Sequence, residues 1–303
     1  MPSLRGANIK DRYPNQTMKL LFERGSCRNF SDRKIPPDVL QLILEAGTHG
    51  PTGGNLQPYS VIKIEDDETK QKLTELGMQS FITKAPCVLL FCIDWHRIER
   101  WASLEVAPFT AASSFPHFWI SFIDTVICAQ NICTAADSMG LGSVYLGSVI
   151  FSLTDIRDMF KLPKRVFPVI LVCIGYPKVK PQPKSKLGID VTVHSEKYNE
   201  MQDEELKNAF SKKYHNYREK FEITKERLEK IFQVCREVHG EKFAKRCVDR
   251  VKENGFINTA QYYFCLHYQA NLMPTENDMF VRIMEEFGFD WFKKYRPFKN
   301  KTT

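Results

Sequence analysis

Four short stretches carry residue types that could bind a charged, planar ligand. In Arg24-Gly25-Ser26-Cys27-Arg28 the two arginines and the serine alternate, so an extended backbone would project them to one side. Two guanidinium groups and a hydroxyl, with Gly25 allowing close approach, make a phosphate clamp. The plainer reading is two surface arginines at a helix-to-loop turn. Pro51-Thr52-Gly53-Gly54-Asn55-Leu56-Gln57 joins a flat, small-residue backbone to two amide side chains. Asn55 and Gln57 offer both donors and acceptors to a heterocycle or polyol; an unliganded turn would use the same residues. Gly140-Leu141-Gly142-Ser143-Val144-Tyr145-Leu146-Gly147 is a glycine-bracketed turn that can expose backbone N–H groups, or can simply stop a helix. Lys184 and Lys186 could complete an anion site or lie solvated in a linker.

The elements around these stretches alternate. Residues 15–24 and "PPDVLQLILEAGTHG" read as helices, the second with prolines at its start. "YSVIKIE" alternates as a strand. "APCVLLFCID" and "FPVILVCIGYP" are continuous apolar runs, the mark of strands buried on both faces. "FIDTVICAQNICTAADSMGLG" reads as a long core helix, "SVYLGS" as a short strand or turn, and residues 95–116 as an irregular insertion with room for a short helix. The expected class is α+β, a central mixed sheet flanked by helices. Beyond the Pro- and Lys-rich "KVKPQPKSKLG" the pattern becomes helical, so residues 200–303 are expected to form an all-helical extension.

The chain has 303 residues, a formal net charge of +7 and 26% charged residues. Acids are interspersed among the bases, which argues against nucleic acid as a partner and leaves room for a small anion. Nine cysteines without a CxxC, several in apolar runs, read as free thiols in a reducing compartment. The N-terminal residues lack the apolar core of a signal peptide, and the longest apolar region is interrupted by Asp124, Gln130 and Asn131. The expectation is a cytoplasmic protein with no membrane partner. Cys235, His239, Cys265 and His267 could be counted to four zinc ligands, but the aromatics around Cys265 point to packing, and no metal is expected.

Taken in order, RGSCR, PTGGNLQPY, APCVLLFC, SMGLGSVYLG, CIGYP and PKSK resemble the FMN-dependent nitroreductase family, over roughly Met18 to Tyr198. The resemblance implies an FMN-binding domain over residues 1–199 and an intertwined homodimer with FMN at the interface. It implies a phosphate site from Arg24, Gly25, Ser26, Cys27 and Arg28 with Lys184 and Lys186. Pro51, Thr52, Gly53, Asn55 and Gln57 would line the partner subunit's flavin. Tyr145, Leu146 and Gly147 would face the flavin ring edge. The implied chemistry is ping-pong: NADH or NADPH as reductant, a nitroaromatic, quinone or related small molecule as electron acceptor. A flavin-binding sensor or assembly protein, or specialised chemistry such as reductive dehalogenation, would keep the same site. No side chain is singled out as a catalyst. Thr52, Tyr59 and Lys186 stand where Ser, Trp and Arg are common, and the insertion at residues 95–116 and the tail lie outside the shared pattern.

Overall fold

The computed structural model describes residues 13–215 and 221–296. Residues 1–12, which hold most of the segment read for a signal peptide, and 216–220, within an expected helix, lie outside them. The chain divides into two compact units: residues 1–183 with 281–303, and residues 184–280. The boundary between the units thus falls within the Pro- and Lys-rich stretch, ahead of residue 200 where the helical extension was expected to begin, and the last stretch of chain belongs to the first unit.

In the first unit Asn15 accepts from the Met18 N–H at 2.9 Å and starts α1 (Gln16–Glu23). α2 (Pro37–Thr48) opens on proline, whose missing N–H costs nothing at a helix start. β1 (Tyr59–Ile64), α3 (Asp67–Glu75) and β2 (Cys87–Asp94) follow. Every residue of β2 is buried, as its unbroken apolar run requires. Asp94 then accepts from the Arg97 N–H at 2.9 Å and launches α4 (Trp95–Leu104), so the insertion begins with a regular helix.

α5 (Phe115–Ser138) starts a full seven residues before the expected Phe122, because Pro116 sits in its first turn rather than breaking it. β3 (Gly142–Leu146), α6 (Leu153–Met159) and β4 (Val166–Gly175) complete the layer. Strand order is β1-β2-β4-β3, and every pair is antiparallel. The expected mixed character survives as one isolated parallel bridge, Ser26 to Ser143. Pro168 cannot donate to the ladder, and the β2–β4 register shifts beside it, between Phe91 and Cys92. Leu89 and Phe91 on β2 pack with Cys128, Ile132 and Ala136 of α5 and Ile43 of α2 in the central core. Among the described residues α5 is the one helix long and apolar enough to cross a membrane; here one of its faces packs on the sheet.

The segment after residue 281 closes a corner of the same unit. The Arg165 N–H donates to Phe287 O at 2.6 Å. Phe287 and Phe289 are fully buried, edge-on to Phe167, and Phe289 also meets Phe118 of α5.

The second unit holds α7 (Ile189–Thr192), α8 (Asp203–Lys213), α9 (Lys225–His239), α10 (Glu241–Asn254) and the short α11 (Thr259–Gln261), which runs into a π-helical stretch, Tyr262–His267. α12 (Asn277–Glu286) crosses the boundary at residue 280. Gly240, at φ 82°, joins α9 to α10 without a loop, a conformation that favours glycine. Ile231, Val234, Ala244, Val251 and Ile257 form its apolar centre.

Candidate functional site

Residues 24–28 leave α1 and lie along the start of β3. The Cys27 N–H donates to Ser143 O at 3.0 Å, next to the Ser26–Ser143 bridge. Alternation then decides which side chains face outward: Cys27 is buried, while Ser26 and Arg28 are exposed. Gly142 makes the contact possible, since a Cβ there would stand 2.6 Å from Cys27 Cβ. Gly25 is likewise pressed against the Gln182 carbonyl, 2.7 Å from where a Cβ would lie.

Arg24 behaves differently from the other two. Its Nε donates to Asp137 Oδ2 at 2.8 Å and one terminal nitrogen to Ser143 Oγ at 3.2 Å. Burial pushes the Asp137 carboxyl up, and the Arg24 guanidinium pulls it back. Arg28 forms no ion pair among the described residues. The alternating triplet is thus split: one arginine is committed to the protein and one is presented to solvent.

The second stretch is anchored farther up α5. Both carboxylate oxygens of buried Asp124 accept from the Gly53 N–H, at 3.2 and 3.1 Å. Burial raises the Asp124 carboxyl above its ordinary range, and this hydrogen bond offsets part of that. Asn55 and Gln57 both adopt positive φ, 55° and 48°, a left-handed conformation uncommon for residues other than glycine. Thr52 Oγ1 accepts from the Gln57 N–H at 3.2 Å, and Gln57 Nε2 donates to Thr48 O at 2.9 Å. The Gln57 amide donor is therefore used inside its own loop, whereas Asn55 is exposed. Arg97 of α4 braces the loop by donating to the carbonyls of Gln57 and Tyr59 at 2.7 and 2.8 Å.

On β3 the Tyr145 hydroxyl donates to Gln130 Oε1 at 3.2 Å, and Leu146 is buried. Gly147 follows with open space where a Cβ would project. Lys184 and Lys186 are exposed at the beginning of the second unit.

Three of the four stretches thus hang on one helix, through Asp124, Gln130 and Asp137. Sequence reasoning noted Asp124 and Gln130 only as interruptions of an apolar run, and passed over Asp137 and Arg97. The usable signal was periodic: positions 124, 131 and 138 are two helical turns apart, so polar residues near them line one side of α5. Asn131, for instance, donates to Ala46 O at 3.4 Å. A cavity of ≈ 1020 Å³ opens beside the end of α5, lined by Arg24, Gly25, Asn131, Asp137, Gly142 and Lys180 among others. A second, of ≈ 490 Å³, lies in the insertion between Leu56, Trp95, Trp101, Phe109 and His117.

The four residues that could be counted as ligands in the sequence, Cys235, His239, Cys265 and His267, are not brought together as a set. The two thiols do meet, 3.7 Å apart, but with Cys247 as the third member. His239 lies tilted against Phe243, ring centroids 4.6 Å apart, and His267 packs among tyrosines.

The first unit is an α+β layer, a four-stranded sheet backed by α5, with glycine-rich turns hung on that central helix. Residues 21–176 match the nitroreductase family model, and the chain belongs to that family. It is 30% identical over 191 residues to the oxygen-insensitive NADPH nitroreductase of Salmonella typhimurium, covering 63% of this chain and 77% of that protein. It is 31% identical to the NADPH-flavin oxidoreductase of Vibrio harveyi (62% and 76%) and to the FMN reductase [NAD(P)H] of Bacillus subtilis (61% and 75%). Among solved structures, a candidate oxidoreductase from Bacteroides fragilis superposes with a TM-score of 0.73 at 26% identity, over 90% of this chain and 99% of its own. That span takes in part of the second unit. The NADPH:FMN oxidoreductase of Vibrio harveyi, complexed with NAD+, superposes with a TM-score of 0.62 at 28% identity, over 67% and 86%.

Proposed function

We propose that the protein is an FMN-dependent NAD(P)H oxidoreductase that reduces a small electrophilic acceptor, a nitroaromatic, a quinone or a related compound. The observation that carries this reading is the outward pair Ser26 and Arg28, on a segment pinned to β3 and backed by an arginine that is already neutralised. A hydroxyl and an unpaired guanidinium held two residues apart are chemically suited to a phosphate monoester. The named chemistry of the relatives supports the same choice. When bound, FMN supplies the hydride-accepting ring; the protein supplies position and charge.

The chain's residues divide that work. Ser26 and Arg28 would hold the phosphate. Gly25 and Cys27 fix the segment's path. Arg24 is a positioning residue, because its guanidinium keeps the segment on Asp137 and Ser143. The backbone at Tyr145, Leu146 and Gly147 would face the ring edge, and the open side of Gly147 leaves room for it. Pro51, Thr52, Gly53, Asn55 and Gln57 form a wall, and Asn55 is the amide free to reach a ligand.

The same reading includes a homodimer. α5 exposes Trp119, Ile120, Phe122 and Ile123, a cluster of large apolar side chains unusual on a lone surface. A second copy would cover this face and bring the Gly53–Gln57 loop to its neighbour's flavin. All nine cysteines are free, in keeping with a reducing, cytoplasmic setting.

The test is anaerobic reduction of FMN-reconstituted protein. Flavin absorbance should bleach with NADH or NADPH and return on addition of a nitroaromatic or quinone. FMN-loaded protein that neither nicotinamide bleaches would overturn the proposal, and sedimentation of the same sample checks the dimer.

A further inference from the structure

Three thiols of the second unit converge although no sequence spacing announces them. Cys235 lies on α9, Cys247 on α10 and Cys265 in the π-helical stretch. The loop-free reversal at Gly240 sets α9 and α10 side by side, so residues before and after the turn face each other. The π-helical stretch then turns Cys265 toward them. π-turns are rare and recur at functional sites, because the extra residue re-aims a side chain. The Sγ atoms of Cys235 and Cys265 are 3.7 Å apart, and all three lie within 4.8 Å of one another. Among the described residues no other group of three potential ligand side chains converges so closely.

The size of this triangle is informative. A soft d10 cation binds thiolate at about 2.3 Å, so three sulfurs around one ion stand roughly 3.8–4.0 Å apart. Small movements of the side chains would reach that spacing. Packing alone would not call for the donor beside it. Gln261 Nε2 points at Cys247, 3.5 Å from its Sγ and 3.2 Å from its carbonyl oxygen. Gln261 is itself locked by a reciprocal capping box: Asn258 N–H donates to its Oε1 at 3.1 Å, and its own N–H donates to Asn258 Oδ1 at 2.9 Å. A fixed N–H aimed at sulfur is the second layer of hydrogen bonding that orients metal-bound thiolates. Cys235 and Cys265 are buried and Cys247 is half-buried, so the triangle is closed on one side and reachable on the other.

We propose that Cys235, Cys247 and Cys265 form a three-thiolate site for a soft d10 cation, Zn2+ or Cu+. Binding releases the three thiol protons and moves no electrons. Cu+ would be complete with three sulfurs. Zn2+ would take a solvent molecule as fourth ligand on the open side of Cys247. The site is independent of the flavin reading, since every residue in it lies in the second unit.

The experiment uses full-length, FMN-reconstituted protein, reduced and handled under argon. One arm is titrated with Zn2+ and the other with Cu+, each against a chromophoric chelator for that ion, with elemental analysis after dialysis. One arm should show one ion per chain. Affinity should fall about tenfold or more in Cys247→Ser and Cys265→Ser, and stay unchanged in His239→Ala. A second readout needs no variant: the ion should slow alkylation of half-exposed Cys247 in the wild-type chain by about tenfold or more. Folded wild-type protein that retains less than roughly a tenth of an equivalent of either ion would overturn the site, as would serine variants that bind like the parent.

Discussion

The two ends of α5 hold the candidate site by different physics. Near its start, Phe118 meets Phe167 and Phe289 edge-on, and Asp124 takes a neutral backbone N–H from Gly53. At its last turn, Asp137 holds a guanidinium, and through Arg24 it holds the segment that carries Ser26 and Arg28. The first end is fixed by buried aromatic area, the second by a half-buried charge pair. Apolar area carries no charge for a simple salt to screen and no proton to titrate. A charge pair gives direction, so it can aim a segment, but breaking one partner strands the other. The difference places rigidity under the loop that would wall the cofactor, and electrostatic aim under the segment that would grip its phosphate.

Four substitutions sharpen that contrast. The largest expected effect is at the aromatic corner: Phe289→Ala should cost about 3–5 kcal/mol. Thermal unfolding should show this drop equally at low and high salt. Next is Asp137→Ala, which leaves Arg24 uncompensated. Because Arg24 is 25% exposed, the cost should be about 2–3 kcal/mol, below that of a fully buried pair. FMN retention should fall with it, and a loss of stability with unchanged FMN affinity would detach this end from the cofactor. Arg28→Ala should leave the unfolding midpoint alone and weaken FMN by about 1.5–3 kcal/mol, roughly 10- to 150-fold, measured by fluorescence on reconstitution. Equal loss of fold stability would show that Arg28 is structural.

The smallest effect is at Asp124. Burial raises this carboxyl above its unfolded value, so the folded chain holds the proton more tightly. The stability it contributes is present at low pH and is lost as pH rises through the folded value. Asp124→Asn keeps an acceptor for Gly53 and removes the titration. The variant should unfold within about 1 kcal/mol of the parent and be relatively more stable at neutral pH than at pH 4. A larger loss at neutral pH would mean that the loop needs the charge.

Much of this was legible because burial writes itself into long apolar runs. "VLLFCID" and "VILVCIG" could only be interior strands, and the alternation of Arg24, Ser26 and Arg28 was visible before any coordinates. What escaped notice depends on distance in the chain. Nothing near Arg24 announces that Asp137 will neutralise it, and nothing near Gln57 announces Arg97. The insertion expected to run to Pro116 gives way to α5 at Phe115, because proline in a first turn opens a helix rather than ending one. The register shift beside Pro168 is also long-range, since it shows only once β4 is paired with β2. The thiol triangle was hidden for the same reason: its members come from two helices and a π-turn, and the turn type is not encoded by any short pattern.

Phe287 and Phe289 sit in the first unit although the second unit lies between them and the sheet in sequence. The second unit is therefore an excursion tethered at both ends, and its ends are fastened independently of its own fold. A protease nick within it would cut the covalent chain but not the assembly. The two fragments would stay joined by the Arg165–Phe287 hydrogen bond and the aromatic corner, co-eluting until denaturant separates them. In that sense the protein carries the means of being a two-chain molecule.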